Sequence, residues 1–176
     1  MHEVTVRAET PEDIRAIDVV HLSAFAGESE ANLVRALRES DRFLPDLSLV
    51  AEVHGRIVGH VVLSRARLES DSGAREVLVL GPMSVVPSQS HRGIGSALVR
   101  AAVDRGRAHG YGAIVVAGFP DYYRRFGFEP MAKWGLDCSL SIPEYAVTAM
   151  ELAEGALAGG GRVVYPAEFT HVFQPG

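Results

Sequence analysis

The stretch Leu80-Gly81-Pro82-Met83-Ser84-Val85-Val86-Pro87-Ser88-Gln89-Ser90-His91-Arg92-Gly93-Ile94-Gly95-Ser96 decides the fold. It runs from the end of an apolar strand, across a glycine-proline break and a polar loop, into the first turn of a helix. A proline inside a strand removes a ladder donor, so Gly81-Pro82 predicts a bulge or a splay. Gly93 and Gly95 stand where the loop becomes helix. Free backbone N–H groups and the positive end of the helix dipole converge there, which suits an anion. Glycine lets the main chain approach phosphate oxygens without a Cβ in the way, and Arg92 adds charge. A GxGxxG dinucleotide fingerprint needs a third glycine where Leu98 stands, and no Gly-Lys-Ser or Gly-Lys-Thr is present. By itself the short Gly-x-Gly also fits a plain turn with a helix-packing glycine.

Downstream, Ile94, Ala97, Leu98, Ala101 and Ala102 form one stripe and Arg100, Asp104 and Arg107 the other side, predicting a long helix that ends near Gly110. The uninterrupted apolar run Ala113 to Gly118 predicts a central buried strand. Strand, glycine turn, helix and strand together predict a right-handed βαβ unit. Upstream, Ser48 to Val53, Arg56 to Leu68 and Glu76 to Val86 predict an antiparallel meander, turning at His54-Gly55 and at Ser70-Asp71-Ser72-Gly73. Alternation around Val4, Val6 and Ala8 predicts a first strand over Glu3 to Glu9. Thr10-Pro11-Glu12-Asp13 then supplies an N-cap, a first-turn proline and early acids for a helix carrying Ile14, Ile17, Val20, His21 and Ala24. A second helix is predicted over Glu30 to Glu39. After the βαβ unit come a one-turn helix near Tyr122 to Phe126, strands near Leu136 to Leu140 and Thr148 to Leu152, a flexible Gly155 to Gly161 connection and a last extended piece, Val163 to Tyr165.

The chain has 176 residues, 47% apolar and 22% charged, proportions of a globular protein rather than a disordered one. That length suits one domain over 1–176, with about 155–176 expected as a C-terminal extension packed on it. The longest nearly uncharged apolar run, Tyr111 to Pro120, is far short of the roughly 20 residues of a membrane span. Met1-His2-Glu3-Val4 carries no basic and apolar export signal, so a cytoplasmic location is expected. A net charge of −5 argues against nucleic-acid binding through a broad basic face. Cys138 is the single cysteine, no His pair has metal-ligand spacing and no GxSxG occurs, so no disulfide framework, metal site or hydrolase elbow is expected.

Val85-x-Pro87, Gly93-x-Gly95 and Tyr123-x-x-Phe126-Gly127-Phe128 together resemble the GCN5-related N-acetyltransferase superfamily. Leu80-Gly81-Pro82-Met83-Ser84-Val85, Pro120-x-Tyr122-Tyr123-x-Arg125-Phe126-Gly127-Phe128 and Tyr165-Pro166-x-x-Phe169 resemble, within it, the YhbS-like bacterial subgroup. The resemblance implies an α+β fold: a central, mostly antiparallel twisted sheet, a V-shaped splay between strands 4 and 5, and helices on both faces. It also implies acetyl-CoA as co-substrate, no metal, and direct transfer of acetyl to an amine acceptor, either a small molecule or a protein. A homodimer is compatible with it.

By the same resemblance, Met83, Ser84 and Val85 bind the pantetheine and thioester. His91, Arg92, Gly93, Ile94, Gly95 and Ser96 hold the pyrophosphate, and Tyr123 and Phe126 border the coenzyme. Ser90 departs from the family's usual Gln or Arg. Tyr123 is the expected general acid, since a thiolate leaving group needs a proton. Glu76 is ~26 Å of strand from Ser84 and is rejected as base. Glu28, Glu30 and Asp121 are the remaining carboxylates, with His60, a backbone carbonyl or a water chain as alternatives, and Tyr122 is a candidate acceptor wall. A non-catalytic acyl-CoA sensor remains the alternative function.

Overall fold

The structure, a computed structural model, describes residues 3–25, 27–90 and 92–172. Its strands are β1 (Thr5–Ala8), β2 (Phe43–Val53), β3 (Arg56–Ser70), β4 (Gly73–Val85), β5 (Ala113–Ala117), β6 (Glu129–Pro130), β7 (Leu136–Cys138), β8 (Val147–Glu151) and β9 (Gly161–Val164). Its helices are α1 (Ile14–Ala24), α2 (Ser29–Glu39), α3 (Ile94–Ala108) and α4 (Pro120–Arg124). The strands join in the order β1-β2-β3-β4-β5-β8-β6, and β9 pairs with both β3 and β7. Among the described residues only β4–β5 and β7–β9 run parallel. α3 makes the crossover between β4 and β5, since a parallel pair cannot be joined by a tight turn.

Period-two alternation sorts the core into two layers. Val77 and Val79 of β4, with Ala113 and Val115 of β5, pack with Ile17, Leu33, Val34 and Leu37 from α1 and α2. Leu78 and Leu80, with Ile114 and Val116, pack with Ile94, Leu98, Val99 and Ala102 from α3. The sheet is thus covered on both faces. On the α3 side the fit is close: a Cβ added at Gly59 would stand 3.0 Å from the Leu98 side chain.

Three details depart from the sequence expectation. The Thr10-Pro11 start is a 3-10 turn, Pro11–Asp13, with α1 beginning only at Ile14. There Asp13 accepts from the Thr10 N–H at 2.8 Å while also pairing with Arg7. β2 begins at Phe43 rather than Ser48, with a register shift between the two; Pro45 and Asp46 hide this half of the strand from a propensity reading. Part of the 155–176 stretch is woven into the sheet: β9 takes the edge of β3 at Arg67, Leu68 and Glu69, beyond the point where β2 stops.

Candidate active site

The β4–β5 ladder holds for three pairs, Leu78↔Ile114, Val79↔Val115 and Leu80↔Val116, and then stops. β4 meanwhile stays paired to β3 through Val85↔Gly59, so from Gly81 to Val85 its other edge is open. At the same place β4 carries a bulge: it takes three steps from Leu80 to Met83 where β3 takes two from Leu63 to Val61. The extra residue reverses the alternation. Met83 therefore shares the α3 face with Leu80, and Ser84 turns to the α1 face.

The loop beyond β4 forms a 3-10 turn, Pro87–Gln89, and reaches α3 through Gly93. Gly93 has φ +79°, a conformation that favours glycine. The helical ladder begins with Ala97 N–H donating to the Gly93 carbonyl at 3.0 Å, which leaves the amides of Ile94, Gly95 and Ser96 outside it. Gly95 is needed for a different reason: a Cβ there would stand 2.6 Å from the Tyr122 hydroxyl, so α4 and the start of α3 touch only because this side chain is absent. The Ser90 hydroxyl donates to the Pro87 carbonyl at 2.8 Å, fastening its own turn. Arg92 is exposed beside the cradle, and His91 lies outside the described residues.

Between the parted strands opens a cleft of about 430 Å³. It passes from one layer of the core to the other. Leu80, Met83, Tyr122 and Tyr123 wall its α3-side half; Leu33, Tyr165 and Phe169 wall its α1–α2 half, with Phe25 and Glu30. Tyr123 is only 5% exposed, and burial pushes its phenol well up, with Tyr122 adding to the effect. Its proton is therefore held throughout the neutral range. Tyr122 packs edge-on against Tyr123 with ring centroids 5.1 Å apart.

The other sequence candidates divide. Glu30 reaches the cleft from the first turn of α2, whereas Glu28 is exposed at the helix cap and lines no wall of it. Asp121 is exposed on α4. Phe126 stands behind Tyr122, with the guanidinium groups of Arg100 and Arg125 5.4 and 5.6 Å from its ring centre.

A buried polar chain on the α1 face ends at Ser84, and sequence reasoning missed most of it. Glu9 is held as a carboxylate by Arg38 at 2.9 Å, and its pKa is about 2: the contacts with His60, Arg38 and Ser48 outweigh the desolvation that opposes them. It accepts a short hydrogen bond from the Ser48 hydroxyl. With that proton committed, the Ser48 oxygen accepts from His60 Nε2–H at 2.8 Å. A neutral imidazole protonated at Nε2 has a free acceptor at Nδ1. His60 Nδ1 accordingly takes the His21 Nε2–H at 2.8 Å, and His21 Nδ1 takes the Ser84 hydroxyl proton at 2.6 Å. Every proton in the chain points toward Glu9. Burial, with the charges of His60 and Arg38, lowers the pKa of His21 to about 3. At neutral pH both ends of the chain are therefore poor proton acceptors, and it fixes the bulged arm of β4 against α1. The sequence signal was a histidine in the apolar stripe of α1 and another in the middle of β3.

A model of the Acetyltransferase (GNAT) family matches residues 15–128. The N-acetyltransferase YhbS of Escherichia coli is 34% identical over 166 residues, 93% of this chain and 97% of that protein. YjhQ of the same organism is 33% identical over 145 residues, 82% and 80% of the two chains. Among solved structures, E. coli YhbS in complex with CoA superposes with a TM-score of 0.88 at 32% identity, over 96% of this chain and 93% of that one. A Brucella melitensis GNAT acetyltransferase in complex with acetyl-CoA gives 0.77 at 30% identity, over 96% and 99%. The chain belongs to the GNAT family and is an acetyl-CoA-dependent acyltransferase.

Proposed function

We propose that this chain moves an acetyl group directly from acetyl-CoA to a primary amine, with both substrates bound at once and Tyr123 as the proton donor to the departing sulfur. One observation carries the reading: the β4–β5 ladder ends at Leu80↔Val116, and the cleft it opens runs from Met83 and Tyr122, which abut the start of α3 at Gly95, past Tyr123 to the opposite face of the sheet.

Acetyl-CoA supplies an acyl group already activated as a thioester. The amides of Ile94, Gly95 and Ser96, outside the helical ladder, bind its diphosphate at the positive end of α3. The open edge of β4 from Gly81 to Val85 orients the pantetheine arm as an added strand would be held, through main-chain hydrogen bonds. N–H groups on that edge polarise the carbonyl as the C–N bond forms and the C–S bond breaks. Tyr123 gives its phenolic proton to the sulfur and is reprotonated by the proton that the amine loses. The apolar walls favour the neutral, nucleophilic form of the amine by desolvating its charged form.

The test is thiol release from acetyl-CoA with a panel of amines, paired with calorimetric titration of CoA. Tyr123→Phe should lower kcat by about 10²-fold, the lower range for a lost general acid, and leave the CoA dissociation constant within about twofold. Unchanged turnover removes Tyr123 from the role. CoA binding with no amine-dependent thiol release turns the reading to an acyl-CoA sensor.

A further inference from the structure

The cleft has two unlike ends, and the difference assigns them. The α3 cradle and the open β4 edge both serve the half walled by Met83, Tyr122 and Tyr123, so the coenzyme enters from that face. The acceptor must then meet the thioester from the α1–α2 face. That half is walled by Leu33 of α2, Tyr165 and Phe169 of the C-terminal segment, and Phe25 just after α1. Leu33, Tyr165 and Phe169 are each no more than 5% exposed and belong to the hydrophobic core. Among the described residues that line the cleft, Glu30 is the single charged one.

We propose, resting on the transfer reading above, that the acceptor is a monoamine on an apolar body: Glu30 draws it in as its ammonium, that first proton passes to solvent, and the neutral amine then attacks with its hydrocarbon or aromatic part seated on Leu33, Phe25, Tyr165 and Phe169. One carboxylate matches one positive charge. A polyamine or an aminoglycoside-like polycation would leave its other ammonium groups unpaired against an apolar wall, and unpaired buried charge is strongly disfavoured. An amino acid would set its own carboxylate beside Glu30 with no cation among the described residues of the wall to receive it. Size agrees, because 430 Å³ is near the lower end of the range for small-molecule sites and must hold the thioester as well.

The experiment measures thiol release by the full chain at saturating acetyl-CoA, with CoA binding followed by calorimetry in parallel. The amines are ethylamine, butylamine, hexylamine and 2-phenylethylamine, set against 1,6-diaminohexane, spermidine and phenylalanine. The expected kcat/KM rises about fourfold per added methylene until the wall is covered. Hexylamine should exceed 1,6-diaminohexane at least tenfold, since the second ammonium has no partner. Glu30→Gln should raise KM for the monoamines about tenfold with CoA affinity unchanged. A preference for spermidine, the diamine or the amino acid overturns the assignment while leaving the transfer reading intact. Hexanoyl-CoA outperforming acetyl-CoA also overturns it, by placing the donor's acyl chain on the wall. CoA binding with no turnover of any amine removes both readings together.

Discussion

Two regions lie against the same sheet and are built on opposite terms. The chain from Glu9 to Ser84 is closed: each hydroxyl and ring nitrogen in it has a partner, and each proton has one place to be. The cleft a few residues away along β4 is open, with mostly apolar walls, and the hydroxyl of Tyr165 is buried with no hydrogen-bond partner among the described residues. A fully satisfied buried network rigidifies its surroundings, whereas an unsatisfied group weakens the fold it sits in. The difference teaches where this molecule keeps its stability and where it gives some up to leave room for substrates.

Acid should break the closed region first. His21 has a folded-state pKa of about 3 against an ordinary 6.5. Below pH 6.5 the unfolded chain takes up a proton that the folded chain refuses, so stability falls as pH drops from 6.5 toward 3. That shift corresponds to on the order of 4–5 kcal/mol across the window, with about 2 kcal/mol already lost at pH 5. Glu9, lowered from 4.5 to about 2, acts in the same direction below pH 4.5. Urea unfolding at a series of pH values reads this directly. A midpoint that is flat from pH 7 to pH 5 contradicts a neutral buried histidine pair.

Substitution should break it next. His60→Leu keeps much of the volume but leaves His21 Nε2–H without an acceptor and the Ser48 oxygen without the donor it accepts from, both inside the core. At about 1–3 kcal/mol for each unsatisfied group, a loss of about 3 kcal/mol is expected from urea titration at pH 7. A loss under 1 kcal/mol means that the chain does not hold α1 to the sheet.

Much of this architecture is legible in the sequence because it depends on neighbours along the chain. Alternation through Val77, Leu78, Val79 and Leu80 gives a strand buried on both faces, Gly81-Pro82 marks the place where it parts from its neighbour, and the stripe Ile94, Leu98, Ala102 gives α3. The two-residue β6 is too short to leave any period. The bulge hides more. One extra residue between Leu80 and Met83 reverses which side chains face α1, so plain alternation puts Ser84 on the α3 face, away from His21. Glu28 and Glu30 look equivalent in sequence and separate only when α2 begins between them and turns Glu30 to the cleft. The far wall, Tyr165 and Phe169, arrives through the β9 pairing with β3, nearly a hundred residues apart in the chain, and no local pattern encodes that contact.

The smallest expected effect sharpens the contrast best. Tyr165→Phe removes a hydroxyl that is buried and makes no hydrogen bond to the described residues, so the substitution should leave stability unchanged or raise it by about 0.5–1 kcal/mol, opposite in sign to His60→Leu. The ring stays on the cleft wall, and its edge-on packing with Phe169, centroids 5.1 Å apart, is kept. Urea unfolding and amine-dependent thiol release, measured on the same preparation, separate two roles for this oxygen. Equal or greater stability with an unaltered KM for the amine marks it as a pure cost of closing the wall with a tyrosine. Equal or greater stability with a raised KM marks it as a group whose partner is the bound acceptor. A clear loss of stability shows that the hydroxyl is satisfied in the folded protein, and the opposition between the closed chain and the open cleft then fails at its most sensitive point.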